Sequence, residues 1–107
     1  MSAARALVTA AGVVYGSTAL LGVGLATGAW RNRRHRWIHH AGYISAVALT
    51  ASAVALDLRG DRTRAALAAI ALVPLAALPR IPTRTRRHPI VALSAAPWLA
   101  AAIWRRP

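Results

Sequence analysis

Three histidines are the side chains of this sequence best suited to hold a cofactor. His39 and His40 lie at the start of one apolar stretch, and His88 lies at the start of another. Haem b in membrane bundles is commonly held by two histidines from different helices. Pairing of His39 or His40 with His88 therefore gives one hypothesis, a haem b-binding or quinone-site membrane anchor. The simpler interpretation is that all three are interfacial residues at the level of the lipid headgroups.

The two acidic residues of the chain, Asp57 and Asp61, could act as proton-relay carboxylates. Both lie in one short segment beside three arginines, so we expect local ion pairing instead. General acid–base chemistry has few other candidates, and no serine–histidine–acid set can be assembled. The chain has no cysteine, which excludes disulfides and thiolate metal sites. We predict that it is not an enzyme and has neither catalytic residues nor a metal site.

Glycine spacing in the first apolar stretch predicts tight helix packing. Gly12 and Gly16 are four residues apart, and so are Gly24 and Gly28. Glycines at this interval remove side chains from one strip of a helix, so that a second helix can approach closely. The contact would lie within the protein or with a partner.

The second apolar stretch carries a polar seam, whose residues recur at intervals of three and four and so share one helix face. In lipid such a face should point at protein. Tyr43 and Thr50 are therefore predicted to pack between helices. The alternative is a ligand-binding face. The seam consists of Arg36, His39, Tyr43, Ala46, Thr50, Ala53 and Asp57.

The elements that must position these residues are predicted to be membrane helices. The chain is 57% hydrophobic yet carries a formal charge of +12, and its apolar residues run uninterrupted between blocks of arginine. This predicts an all-α fold, an integral membrane bundle of four short transmembrane helices in a single polytopic domain, 1–107. Two spans, about 7–30 and 37–56, are long enough to cross, and a shorter helical hairpin covers about 64–80 and 89–104. That hairpin could instead be re-entrant or interfacial.

Prolines and basic loops refine this prediction. Pro97 should bend the last span by leaving the Leu93 carbonyl without its helical donor, and Ser94 or a neighbouring helix would then satisfy it. The positive-inside rule places loops 31–36 and 80–88 in the cytoplasm and both termini outside. Trp37 would mark the cytoplasmic interface and Trp104 the outer one.

All 14 basic residues are arginine, and the chain has neither Lys nor Phe. With its abundant alanine this composition is typical of a high-GC bacterium such as an actinobacterium, which predicts the bacterial inner (cytoplasmic) membrane. Because the arginines flank apolar spans, we expect no nucleic-acid partner. We expect instead that they bind the headgroups of anionic lipids such as cardiolipin. The predicted lipid-headgroup residues are Arg31, Arg33, Arg34, Arg36, Arg84, Arg86 and Arg87.

Almost the whole chain is predicted membrane span, joined by short loops. It therefore best fits a small non-catalytic accessory subunit, which packs against larger integral membrane subunits of a bacterial complex, stabilises their assembly and binds lipid. A respiratory-chain complex is one such host. A small transporter of unknown substrate is a further alternative, since length and span number are similar to those of the small multidrug resistance family. The first span, which reads AGVVYG at 11–16, lacks the membrane-embedded Glu of that family.

Overall fold

The computed structural model describes residues 3–26, 33–81 and 87–105, with the side chains of 3–22, 37–81 and 87–105. Over these residues all the regular secondary structure is helical, which confirms the predicted all-α class. In chain order the elements are α1 (Ala3–Ala26), α2 (Arg33–Asp57), α3 (Arg62–Ala77), a 3₁₀ turn (Leu78–Arg80), α4 (Arg87–Leu93) and α5 (Ala96–Trp104).

Three of the four predicted spans contain a segment long and apolar enough to cross a membrane. The fourth, predicted over 89–104, is divided, because Ser94 and Ala95 form a turn between α4 and α5. Pro97 explains the division, since it has no N–H to donate to the Leu93 carbonyl. The three segments are Ala3–Gly22, Trp37–Asp57 and Arg62–Arg80.

The helices form a ring of four antiparallel columns. Helix α1 packs on α2, α2 on α3, α3 on α5, and α5 on α1. Helices α4 and α5 follow one another along the fourth column. Contacts at one end fix the direction of the chain: Asp57 at the end of α2 binds Arg64 near the start of α3, and Asp61 lies beside Arg105, which follows α5.

Small residues fill the interior, and large apolar residues cover the outside. Among the residues whose side chains are described, thirteen large hydrophobic ones are exposed, and Leu20 and Val73 are each 70% exposed. In water an apolar surface of this extent would be an aggregation liability, whereas lipid tails solvate it. The distribution therefore indicates a membrane location. The buried core consists of Val8, Ala53, Ala68, Ala71, Leu75, Leu78, Ala95, Leu99 and Ala102, five of which are alanine.

Candidate functional site

The polar seam of α2 faces the interior of the bundle from Tyr43 to Asp57, and the side chain of Arg36 lies outside the described residues. Four of its members, Ala46, Thr50, Ala53 and Asp57, are buried, and Tyr43 is half-buried. The Thr50 hydroxyl donates a 2.7 Å hydrogen bond to the carbonyl of Ala46 in its own helix. Buried polar groups cost free energy unless they are hydrogen-bonded. The seam meets this requirement by different means at its two ends.

The acidic end, which we define as Asp57, Asp61, Arg64 and Arg105, is built on a buried ion pair. Arg64 donates from Nε to Oδ2 of Asp57 at 2.7 Å and from Nη2 to Oδ1 at 3.1 Å. The two side chains are 7% and 3% exposed. Two parallel N–H···O bonds between a guanidinium and a carboxylate are among the strongest hydrogen bonds in proteins. This pair therefore fixes the end of α2 against the start of α3.

Asp61 caps α3 and extends the acidic end to the fourth column. Its carboxylate accepts hydrogen bonds from the backbone N–H groups of Thr63 at 3.1 Å and Arg64 at 3.2 Å. Its Oδ2 lies 3.5 Å from Nε of Arg105. The Arg64 N–H, aided by the charges of Arg105 and Arg64 and by the Thr63 N–H, holds the pKa of Asp61 below its usual value, although desolvation opposes the shift. Asp57 thus forms a local ion pair of the expected kind, whereas Asp61 lies against Arg105 from the other end of the sequence.

The histidine end, which we define as His39, Ile81 and His88, brings two of the three predicted histidines together. His39 is half-buried, and both His88 and His40 lie near enough for their charges to act on its ring. Nδ1 of His88 lies 3.3 Å from the carbonyl oxygen of Ile81. Because a carbonyl can only accept, this contact requires the proton on Nδ1, so Nε2 of the neutral ring keeps its lone pair. His40 is exposed.

The donor set at the histidine end suits a haem iron better than zinc. Two imidazoles from different helices can serve as the axial ligands of a haem, whereas structural zinc takes four protein ligands. Across the part of the chain that the structure describes, no three His, Asp or Glu side chains are placed to share a metal ion. A hydrogen bond from Nδ1 to a carbonyl is also the usual way of orienting a ligating histidine.

Tyr43 donates a hydrogen bond to a backbone carbonyl that lacks its usual helical donor because of a proline. Its hydroxyl donates to the carbonyl of Leu75 in α3. The residue four positions later is Pro79, which has no N–H, so only the N–H of Leu78 reaches this carbonyl from its own chain segment. In hydrocarbon no water can take the place of the missing donor. Tyr43 therefore links α2 to α3 at the point where the α-helix ends.

Tyr15 binds the chain beside the break in the fourth column, at the residue before Leu93, whose carbonyl Pro97 leaves without its helical donor. Its hydroxyl donates to the carbonyl of Ala92, whose own bond from the N–H of Ala95 is long, at 3.4 Å. Ser94 donates its hydroxyl to Val91 at 2.6 Å. Sequence reasoning did not single out Tyr15. The available signal was a lone tyrosine in an apolar span of a chain whose third and fourth spans contain prolines.

Close approach of α1 and α2 depends on two glycines outside the predicted GxxxG pairs. An added Cβ at Gly42 would overlap the hydroxyl of Thr18, and one at Gly22 would come within 2.9 Å of Nε2 of His39. Their signal in the sequence was weak, since neither forms a four-residue glycine pair. These glycines let the backbones of α1 and α2 pack closely.

The four predicted packing glycines have different surroundings. A Cβ at Gly12 would meet the end of the Ile103 side chain from α5, and one at Gly16 would have nothing within 4 Å. Gly12 therefore packs inside the bundle, while Gly16 faces outwards. The surroundings of Gly24, and Gly28 itself, lie outside the described residues.

Of the arginines predicted to bind lipid headgroups, Arg87 is exposed at the first residue of α4, on the same side of the bundle as the histidine end. The side chains of the other six, Arg31, Arg33, Arg34, Arg36, Arg84 and Arg86, lie outside the described residues.

No protein-family model, curated protein or solved structure matches this chain. The geometry of the chain itself therefore carries the functional inference.

Proposed function

We propose that this chain is a small non-catalytic accessory subunit, which packs within the bilayer against larger integral membrane subunits of a bacterial complex. The observation that carries the proposal is an outward strip of α1, hereafter the α1 strip, formed by Val13, Gly16, Ser17 and Leu20. Val13 is 66% exposed and Leu20 is 70% exposed, and nothing lies within 4 Å of the position of a Cβ at Gly16.

The α1 strip has the features of a membrane helix interface. Its residues are spaced by three and four, so they share one face. Gly16 and Ser17 form a shallow notch between the larger Val13 and Leu20, into which the ridge of a second helix fits. Gly in mid-helix destabilises a helix relative to Ala, and nothing in the described part of the chain requires it at position 16. Contact with a partner helix explains the glycine at this position.

The polar interior supports a packing role over a transport role. Asp57, the acid of the seam, is bound by Arg64, and the hydroxyls of Tyr43 and Thr50 donate to backbone carbonyls. These interactions hold helices together inside the chain. The binding surface that remains is the apolar exterior.

We further propose that the fourth column completes a fourth crossing. Helices α4 and α5 with their joining turn cover 18 residues, 87–104, which at about 1.5 Å per residue reach ~27 Å, close to the ~30 Å hydrocarbon core. Four crossings place both termini and the acidic end on one side, outside by the positive-inside rule.

Since the chain has no native cysteine, Gly60→Cys and Trp104→Cys can be labelled with an impermeant maleimide on intact cells. Both cysteines should react with the maleimide. If only one of the two reacts, the fourth column does not cross the membrane.

Affinity purification in mild detergent tests the accessory role. The tagged chain should bring larger membrane subunits with it, and Gly16→Ile should reduce their recovery several-fold, because the new side chain fills the notch of the α1 strip. Ala48→Ile is the matched control, since Ala48 is exposed on the outer face of α2. Thermal unfolding of each variant shows whether the chain itself remains folded.

Two results would contradict the proposal. If the wild-type chain purifies alone or only with copies of itself, it has no larger partner. If Gly16→Ile and Ala48→Ile lower recovery equally, the α1 strip is not the contact surface.

The juxtaposition of His39 and His88 favours a second candidate function, a haem b-binding membrane anchor. Nε2 of His88 and a ring nitrogen of His39 would supply two ligands from different helices, provided that the His39 ring turns its Nε2 away from Gly22 of α1. Protein purified from haem-replete cells should then show a Soret band, which His39→Ala and His88→Ala abolish. The exposed His40 provides the control, and His40→Ala should retain the band. A colourless wild-type preparation would end this candidate.

A further inference from the structure

A groove between α2 and α3 opens on the outer surface near the acidic end. It has a volume of about 370 Å³ and is lined by Val54, Leu58, Arg62, Ala65, Ala66 and Ala69. Its α3 wall carries three alanines, whose single methyl groups leave a trough beside the larger side chains of α2. Arg62 is the only charged residue of the lining.

The charge at the mouth of this groove is not balanced within the described part of the chain. The protein has two acidic residues; Asp57 binds Arg64, and Asp61 lies against Arg105. Arg62 and the nearby Arg59 are exposed, and neither pairs with a described carboxylate. Arg62 is also the first residue of α3, where the helix dipole disfavours a cation. A bound anion would offset both effects.

The apolar lining of the groove indicates that the anion belongs to a lipid. Arg62, Ala66, Ala69 and Val73 are spaced by four, three and four, so they share one face of α3, and Val73 extends the apolar surface beyond the groove. Val73 is 70% exposed. The distance from Arg62 to Val73 is ~17 Å, close to the thickness of one leaflet, about half of the ~30 Å hydrocarbon core. Free phosphate would use the arginine but not this apolar surface.

We infer that the groove binds one anionic glycerophospholipid, with an acyl chain along the alanine face of α3 and the phosphate against Arg62 and Arg59. This site lies at the acidic end, away from the arginine clusters predicted to contact lipid at the other end of the bundle. Lipid binding at this site requires the membrane location but no partner subunit. It can therefore be confirmed or refuted independently of the accessory role.

Native mass spectrometry of the purified chain, exchanged into phosphatidylglycerol or phosphatidylcholine, tests this site. The wild type should retain phosphatidylglycerol preferentially. Arg62→Gln should weaken its retention about fivefold, the loss expected for one arginine at a lipid surface. Ala69→Leu should weaken retention of both lipids, because it fills the groove without changing charge.

Ala48→Leu is the matched control for Ala69→Leu, since it adds the same side chain to an exposed alanine on another face, and it should leave retention unchanged. Circular dichroism confirms that each variant remains helical. Unchanged retention in Ala69→Leu would refute the acyl-chain groove. Displacement of the lipid by millimolar inorganic phosphate would show a simple anion site and would also overturn the proposal.

Discussion

The two ends of the bundle are held together by different kinds of interaction. At the acidic end, the short connection 58–61 brings the end of α2 to the start of α3, so oppositely charged side chains meet: Asp57 binds Arg64, and Asp61 lies beside Arg105. Towards the histidine end the helices are joined by neutral hydrogen bonds, and two glycines allow the backbones of α1 and α2 to approach.

This difference follows from where the prolines and acids lie in the sequence. Pro79 removes the helical donor of the Leu75 carbonyl, which the Tyr43 hydroxyl binds, and Pro97 removes that of Leu93, beside which the Tyr15 hydroxyl binds Ala92. Both acids lie in the connection at the other end. Loss of one partner of an ion pair leaves a buried charge, whereas loss of a hydroxyl leaves a neutral carbonyl. The acidic end should therefore be the more sensitive to substitution and to pH.

The largest effect is expected from Arg64→Ala, which leaves the 3% exposed carboxylate of Asp57 without its guanidinium. Removing one partner of a buried pair costs about 3–5 kcal/mol. Thermal or SDS-induced unfolding in detergent micelles measures this loss. Arg62→Ala, two residues away and exposed, is the control and should change little. The double variant Asp57→Leu/Arg64→Met should recover most of the stability; no recovery would show that Asp57 is not left as a costly charge.

A smaller loss is expected from Gly42→Ala, whose new Cβ would overlap the Thr18 hydroxyl and push α1 away from α2. Overpacking of a close contact costs about 1–3 kcal/mol. Gly16→Ala in the α1 strip is the matched control, because open space surrounds it, and it should be neutral or slightly stabilising. Equal unfolding midpoints for the two variants would argue against the close approach of α1 and α2.

Tyr43→Phe should also destabilise the bundle, by about 1–3 kcal/mol, because the Leu75 carbonyl loses its interhelical donor. In a Pro79→Ala background the chain regains a helical N–H for the same carbonyl. The cost of Tyr43→Phe should then shrink, and a double-mutant cycle on unfolding free energies measures the coupling. Additive effects would show that the proline and the tyrosine do not act on one carbonyl.

The smallest effect is the acid dependence due to Asp61. Because its pKa in the folded chain is lowered, first by the Arg64 N–H, its contribution to stability is present above the unfolded value of about 3.9 and is lost as the pH falls through the folded pKa. The unfolding midpoint should therefore drop below about pH 4. Asp61→Asn keeps a good N-cap but no charge, so its midpoint should fall less over this range. Parallel curves would exclude Asp61 as the group responsible.

Much of the architecture follows from local patterns in the sequence. Uninterrupted apolar stretches between arginine blocks predict the helices, and spacing by three and four places Tyr43, Thr50 and Asp57 on one face of α2, which the structure buries. The proximity of the acids to arginines in the sequence suggests their pairing. The sequence alone does not show whether Asp57 pairs with Arg59, Arg62 or Arg64. It pairs with Arg64 because this side chain is buried near the start of α3, whereas the other two are exposed.

The contacts between distant residues could not be predicted in this way. Tyr15 and Ala92 are 77 positions apart, and no local pattern joins them. Glycine spacing selected Gly12 and Gly16 together, yet one faces α5 and the other faces outwards. Helical spacing fixes which residues share a face but not which face meets which neighbour.

The sequence by itself determined a helical chain of membrane type, since the free energy of placing an apolar stretch in hydrocarbon depends on composition and length alone. It also predicted the break in the fourth column, because Pro97 removes its own N–H, whereas Pro74 lies inside α3 without ending it. Only the tertiary structure decided which carbonyl each tyrosine binds, which glycines allow close approach, and which arginines keep an unbalanced charge. These depend on the rotation of each helix about its axis, which is set by simultaneous packing against two neighbours.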